Sequence, residues 1–355
     1  MKTTLILPVA GKSSRFPGMR PKWLLTMPNG NLMVEEAVKG LELQKYSKII
    51  IICLNEHLKK YCDLEMLRKT FKRNISKKIE FLILKRPTSC QAETVAKAIK
   101  KFSLSGAIYI KDCDNYFESD YINSNAISTV NLNEIDLIDA KNKSYVQLGN
   151  KGNVENIVEK KVISDDFCCG GYGFKSGIKF LEIYEGLKKK NPEEEIYISH
   201  VIYAMLLNGE NFTTNRAKNY VDFGTLREYR HYCDKFITVF CDVDGVLLEN
   251  GSKFQKNGWA TKPIKENLSK LIELQKKGLL YLVITTSRPK DQEDFVIKSL
   301  SKMGLKVDAY LHSLPHTKRL LINDFSLTNP YPTAMSINLP RNSINLESYL
   351  EHLKK

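Results

Sequence analysis

Short, largely apolar runs alternate with helical periodicity along the first third of the chain. The runs are Thr4–Leu7, Ile49–Leu54, Ile79–Leu84 and Ala107–Ile110. Their length and their β-branched and aromatic residues suit buried strands. Between them, Val34–Gln44 and Gln91–Phe102 repeat apolar residues at helical intervals. Strands alternating with helices predict an α/β domain with a largely parallel sheet. The pattern restarts after Arg230. Phe236–Phe240 reads as a new buried strand, Ile264–Lys277 as a helix and Leu279–Thr285 as a strand, with Leu305–Leu311 and Arg319–Ile322 as two more. This restart predicts two domains, 1–233 and 234–355, and a length of 355 residues suits two. No internal repeat or low-complexity tail interrupts the pattern.

Composition narrows the function classes. Apolar residues make up 43% and charged residues 26%, as in an ordinary globular protein. The net charge is +14. The lysines are dispersed, and Lys188-Lys189-Lys190 is followed by Glu193-Glu194-Glu195. Aromatic residues do not interleave with them as on a base-stacking platform. The lysines therefore read as solvated helix faces, with a few left to serve phosphates, and neither a nucleic-acid nor a membrane partner is expected. No run reaches the ~18 apolar residues of a membrane span. The eight cysteines include no Cys-x-x-Cys pair and several lie in apolar runs. They read as reduced, buried thiols of a cytoplasmic protein.

Polar segments follow the predicted strands of the first domain. Pro8-Val9-Ala10-Gly11-Lys12-Ser13-Ser14-Arg15-Phe16 continues the first strand, and Pro21-Lys22-Trp23 comes soon after. A small-residue loop after a strand presents backbone N–H groups to an anion, and Arg15 and Lys22 add charge suited to a triphosphate. Thr88-Ser89-Cys90-Gln91-Ala92-Glu93-Thr94-Val95 opens a helix. It can read a base or ribose, or simply cap the helix with Thr88 or Ser89. Ile110-Lys111-Asp112-Cys113-Asp114-Asn115 sets two carboxylates at a strand end. Open α/β sheets bind ligands there, and a carboxylate suits Mg2+; an Asx turn or helix cap would use the same residues. Tyr220-Val221-Asp222-Phe223-Gly224-Thr225 adds another isolated Asp after a short apolar strand.

In this order the segments resemble the nucleotide-sugar pyrophosphorylase family of nucleotidyltransferases, over roughly Thr3–Tyr229. The resemblance implies a Rossmann-like, GT-A-like domain with a mixed sheet. It assigns Ala10, Gly11, Ser13, Arg15 and Lys22 to a nucleoside triphosphate, Gln91 and Ala92 to its base, and Asp114 and Asp222 to Mg2+. Val158-Glu159-Lys160 looks like the family's Glu-Lys segment, and Cys169-Gly170-Gly171-Tyr172-Gly173-Phe174 like its Gly-rich acceptor strand. Lys160, Gly170 and Gly171 thereby become candidate contacts for the acceptor and its phosphate. The family usually has Gly-x-Gly-x-Arg in the first loop, and Ser13 stands where the second glycine is expected. The implied reaction is attack of an acceptor phosphate on the α-phosphorus of the triphosphate, with Arg15 and Lys22 as catalytic cations. A metal-dependent glycosyltransferase with a non-catalytic second domain is the alternative, because Asp112-Cys113-Asp114 also resembles that class's metal motif.

In the second domain, Phe240-Cys241-Asp242-Val243-Asp244-Gly245-Val246 puts two carboxylates on alternate residues at a strand end. One can attack phosphorus and the other can protonate a leaving alkoxide. Thr285-Thr286-Ser287-Arg288 ends the next strand, Lys318 precedes Leu320-Leu321-Ile322, and Asn323-Asp324 follows. This order resembles the haloacid-dehalogenase-like (HAD) phosphatase superfamily over about Lys235–Leu350. The resemblance implies a capless HAD-like Rossmannoid domain, with Asp242 as nucleophile and Asp244 as acid/base. Thr286 and Lys318 would bind phosphate, Lys302 being the weaker choice for the lysine. Asp242, Asp324 and the backbone C=O of Asp244 would bind Mg2+. Many members carry two acids at the last motif, where this chain has Asn323 beside Asp324.

The two resemblances together imply a bifunctional enzyme like the fusions of bacterial capsule and surface-glycan biosynthesis. The expected partners are CTP and a sugar or polyol phosphate such as fructose 6-phosphate, with a homo-oligomer allowed. The first domain would release pyrophosphate, and the second would hydrolyse a phosphomonoester.

Overall fold

Eleven strands belong to the first part of the chain: β1 (Thr4–Pro8), β2 (Lys48–Leu54), β3 (Ile79–Leu84), β4 (Ile108–Lys111), β5 (Asn115–Glu118), β6 (Ala126–Asn131), β7 (Ser144–Leu148), β8 (Val154–Glu159), β9 (Asp166–Phe174), β10 (Thr213–Arg216) and β11 (Lys218–Asp222), counted among the described residues. The structure is a computed structural model and describes residues 2–135, 139–149, 152–256, 258–323 and 334–352. It divides into two compact units, Met1–Tyr229 and Arg230–Lys355.

The main sheet of the first unit runs β10-β6-β9-β4-β1-β2-β3, with β7 beside β9 and β8 beside β7. β1 pairs in parallel with both β2 and β4, whereas β9 runs antiparallel to β4 and β6. The sheet is thus mixed. Leu5, Ile6 and Leu7 are wholly buried because both faces of β1 are covered. Leu5, Leu7, Ile49 and Ile51 face one apolar cluster, with Trp23, Val34 and Ala37. Ile6, Ile50 and Ile52 face the other, where the helices Gln91–Phe102, Gly177–Lys190 and Ile198–Leu207 contribute Val95, Ile99, Phe180, Val201 and Ile202. β5 and β11 form a separate antiparallel pair.

Two local expectations change. The helix expected over Val34–Gln44 is a helix at Met33–Val38 and a 3-10 turn at Leu43–Lys45. Gly40 intervenes, and any Cβ there would collide with the Phe117 carbonyl of β5. The chain passes too close to that strand for the helix to continue. The helix Gln91–Phe102 is capped by Cys90, whose Sγ accepts the Glu93 N–H at 3.4 Å. Thr88 and Ser89 are not the cap. The Ser89 N–H and hydroxyl both donate to the Glu93 carboxylate, each at 2.7 Å.

In the second unit β12 (Ile237–Cys241), β13 (Leu280–Thr285) and β14 (Ala309–Leu311) are parallel and lie in that order. Leu268, Leu271, Leu282, Ile284, Val296 and Leu300 build its core with the helices Lys265–Lys276 and Glu293–Lys302. The strand expected from Leu305 begins only at Ala309, and Leu305 packs into the core instead. The strand expected at Arg319–Ile322 is absent among the described residues. Leu320 and Ile322 are 81% and 83% exposed there. Three apolar residues ask for cover, but a strand also needs a ladder partner, and no described residue pairs with them. Among the described residues no helix is long and apolar enough to cross a membrane.

Candidate active site

β1 and β4 are parallel neighbours, so the loops leaving their carboxyl ends lie side by side. This brings Lys22 to Asp114, with Nζ 2.5 Å from Oδ2. Ser13 has φ +51°, in the left-handed region that glycine favours. Its hydroxyl accepts the Lys22 N–H at 3.0 Å and ties the two halves of the first loop together. The serine therefore takes over the glycine's turn conformation and adds a bond. Next along, the buried Trp23 donates to His57 Nδ1 at 3.2 Å. Burial pushes the His57 pKa down, which keeps this ring neutral as an acceptor.

The carboxylate loop is held from below by Lys111. This residue is wholly buried and donates to Asp112 O at 2.6 Å, Asn115 O at 3.0 Å and Asn115 Oδ1 at 2.5 Å. Burial lowers its pKa, and the three acceptors satisfy its donors. Gln91 donates to Asp112 Oδ1. Burial, reinforced by the Asp114 charge, pushes the Asp112 carboxyl up to about 6. Burial also acts on Asp114, but Lys22, Lys143 and Lys111 outweigh it and hold Asp114 below the usual carboxylate range. Behind the loop, Gly170 sits at φ +88°, beside the shift in β6–β9 register between Ser128 and Thr129. Its carbonyl accepts the Asp112 N–H at 2.7 Å.

The β5–β11 pair sets Asp222 opposite Asn115 and so brings it to Asp114. A Cβ on Gly224 would lie 2.9 Å from Asp222 Oδ1, 3.5 Å from Asp114 Oδ2 and 3.7 Å from Glu228 Oε2. Asp222 and Asp114, with Glu228 a little farther off, thus face one point, which a side chain would fill and glycine leaves open. Two carboxylates around an open cradle fit Mg2+, which takes few protein carboxylates when phosphate oxygens complete its shell. Among the described residues no group of three or more His, Cys, Asp or Glu is placed to hold a metal ion, so phosphate oxygens would have to complete the shell. Asp222 also accepts the Gly224 N–H at 2.8 Å and pairs with Lys143. Burial works against the Lys143 ammonium, but Asp222, then Asp114 and Glu228, outweigh it and raise its pKa.

These groups surround a cavity of about 140 Å³ lined by Arg15, Gln91, Asp112, Asp114, Lys143 and Gly170, among others. On another part of the lining, Glu159 accepts from the hydroxyls of Ser144 and Ser199, the latter at 2.6 Å, and Tyr197 stands nearby in sequence. Of the residues expected from the sequence, Arg15, Gln91, Asp114 and Gly170 line the cavity. Lys22 joins through its ion pair with Asp114, and Asp222 through Lys143. Ala10 and Ala92 are buried in the core. A Cβ on Gly171 would point at Tyr109 and Ser128, on the core side, and Gly11 has open space around it. Lys160, at φ +55°, donates to the Tyr197 hydroxyl at 2.5 Å and is not among the lining residues. Lys143, Ser144, Ser199 and Glu228 belong to no motif in the sequence. Their only signal is a position just before a strand or at the start of a helix.

In the second unit Asp242 and Asp244 follow β12, and Thr286 follows the neighbouring β13. Asp242 is partly exposed and pairs with Arg319 at 3.1 Å. Lys318 is exposed, and Asp324 lies outside the described residues. Asp244 is held by Arg288 through Nε at 3.0 Å and Nη2 at 2.7 Å, and by the Gly251 N–H at 3.1 Å. Arg288 is wholly buried, donates also to Trp259 O and Thr261 Oγ1, and lies 5.1 Å from the Trp259 ring. Thr286 is wholly buried, and its hydroxyl accepts the Arg288 N–H at 3.1 Å.

The first unit has the mixed-sheet fold of the nucleotide-sugar pyrophosphorylases and related nucleotidyltransferases. In particular, the chain is similar to the nucleoside-diphosphate-sugar pyrophosphorylase from Vibrio cholerae RC9, with a TM-score of 0.54 and 20% identity over 64% of this chain and 99% of that one. It is similar also to UDP-glucose pyrophosphorylase solved with UDP-glucose, with a TM-score of 0.51 and 14% identity over 66% of this chain and 98% of that one. No protein-family model matches the chain, and no curated protein does.

Proposed function

We propose that the first unit transfers a nucleotidyl group from a nucleoside triphosphate to a phosphorylated sugar or polyol and releases pyrophosphate. The observation that carries this reading is the convergence of Asp114 and Asp222 on the open point at Gly224. Arg15 lines the same cavity, and Lys22 pairs with Asp114. Asp114 and Asp222 would hold Mg2+, which supplies charge neutralisation for the phosphates. Arg15 and Lys22 would draw the triphosphate into place, and Gln91 would read its base. The acceptor phosphate is already ionised, so positioning and charge do the work and no general base is needed. That a similar structure was solved with UDP-glucose supports a nucleotide-sugar product class. CTP with a sugar or polyol phosphate such as fructose 6-phosphate is the favoured pair. The test is a pyrophosphate-release matrix of four nucleoside triphosphates against sugar, polyol and amino-alcohol phosphates. Turnover of a nucleotide-sugar with no pyrophosphate formed favours a glycosyltransferase instead.

For the second unit the proposal is HAD-like hydrolysis of a phosphomonoester through an aspartyl-phosphate on Asp242, which makes the chain bifunctional. The partly exposed Asp242 carboxylate beside the Arg319 guanidinium supports it, since that cation can follow a bound phosphate. Asp242, Asp324 and the Asp244 carbonyl would hold Mg2+. Acid/base work by Asp244 requires its pair with Arg288 to open. Asp242→Asn should abolish phosphate release from phosphorylated metabolites while pyrophosphate release continues. Unchanged phosphate release, or none in either form, sinks the phosphatase reading.

A further inference from the structure

The cavity of the first unit holds a cation that no motif predicts. The Lys143 side chain is 17% exposed, against 32% for Lys22. Among the described residues lining the cavity, the cations are Arg15 and Lys143. Lys160 points to Tyr197 instead. The Lys143 ammonium gives one N–H to Asp222 and one to the Tyr220 hydroxyl at 3.1 Å. An ammonium has three donors, so among the described residues one remains for a ligand.

Nucleotidyl transfer joins two anionic phosphates, and each needs a cation beside it. Arg15 leaves the first loop, on the side read as the triphosphate's. Lys143 immediately precedes Ser144, whose hydroxyl joins the Glu159 and Ser199 cluster. We propose that Lys143 is a catalytic residue of the first unit: it binds the phosphomonoester of the acceptor and holds its attacking oxygen toward the α-phosphorus. The inference rests on the nucleotidyl-transfer reading and deepens it. A non-bridging oxygen of the acceptor phosphate forms the new P–O bond. The bond from the α-phosphorus to the oxygen bridging to the β-phosphate breaks, and its electron pair leaves with pyrophosphate. No proton is transferred, and Lys143 keeps all three of its own.

A purely structural Lys143 would only balance Asp222. Initial-rate kinetics of pyrophosphate release by the full chain separate the two roles, using Lys143→Met and Lys143→Arg. Lys143→Met should lower kcat/KM for the acceptor about 100-fold, the size of losing one charge-stabilising donor, with the KM for the triphosphate nearly unchanged. Lys143→Arg keeps the charge and should recover part of that loss. A parallel rise in both KM values, or equal activity loss in both variants tracking a loss of thermal stability, overturns the proposal. If Lys143→Met does not fold, Lys143→Arg decides: a selective rise in acceptor KM supports the role, and a parallel rise overturns it. A wild-type chain that releases no pyrophosphate with any pair overturns the transfer reading itself, which is a separate outcome from variants that match an active wild type.

Discussion

Replacing Gly170 with alanine imposes two costs on the loop that carries Asp112 and Asp114. The backbone at φ +88° is left-handed, which costs a non-glycine residue roughly 1–2 kcal/mol. The new Cβ would also lie 2.7 Å from Asp112 Oδ2 and Asn115 Nδ2 and 2.8 Å from Asp112 Cβ. The last atom is not the end of a flexible chain, so the loop itself must move, at about 1–3 kcal/mol for overpacking. The sum is about 2–5 kcal/mol, or roughly 1–2 M in urea midpoint for an m-value of about 2–3 kcal/mol/M. Gly11→Ala is the control. Nothing lies within 4 Å of its Cβ position and its φ is not positive, so stability should hold or rise by about 0.4–1 kcal/mol. The buried Trp23 reports the first unit in a Trp259→Phe background. The same shift should misplace Asp114 and slow pyrophosphate release by about 100-fold, as an ångström-scale error does. Equal urea midpoints for Gly170→Ala and Gly11→Ala would refute the reasoning.

Ser13→Ala should lose the bond to Lys22 and keep the left-handed strain, costing about 1 kcal/mol, while Ser13→Gly loses the bond, relieves the strain and stays near neutral. Urea midpoints check this, and the reverse order would be wrong for a serine in that turn. His57 has a depressed pKa, so its stabilising effect is present above the unfolded value of about 6.5 and is lost as pH falls through the folded one. His57→Gln keeps an acceptor for Trp23 and should flatten the stability of the first unit between neutral and acid pH; an unaltered pH profile contradicts the role. Arg288→Met leaves the Asp244 carboxylate largely buried without its partner and should cost the second unit about 3–5 kcal/mol. Arg288→Lys should recover only part, because an ammonium cannot make the bidentate pair. Trp259 fluorescence follows this unfolding, and an unchanged midpoint for Arg288→Met counts against the pair.

Of the central sheet, β1 to β4 were legible because they are nearly continuous apolar runs, whereas β6, β7, β8 and β10 mix polar with apolar residues and leave no such run. β3 and the helix Gln91–Phe102 lie at the residues expected. Arg319–Ile322 misled for the same reason: the run shows a wish for cover, but the ladder partner is a matter of tertiary pairing. Gly40 misled differently, since its effect comes from the Phe117 carbonyl of a distant strand. Ser89 beside Cys90 looked like the better cap, but the Glu93 carboxylate takes the Ser89 hydroxyl.

The sequence by itself determined that the first four apolar runs are strands and which polar loops follow them, and hence that Arg15, Lys22 and Asp114 lie at the carboxyl edge of one sheet. Local periodicity and a parallel strand order are enough for that. Only the tertiary structure decided that Asp222 meets Asp114 across β5 and β11, that Lys143 is a cavity cation where Lys160 is not, and that Asp244 is locked to Arg288. Each of these depends on which distant strands pair and in what register, and a register is set by packing rather than by any local run of residues.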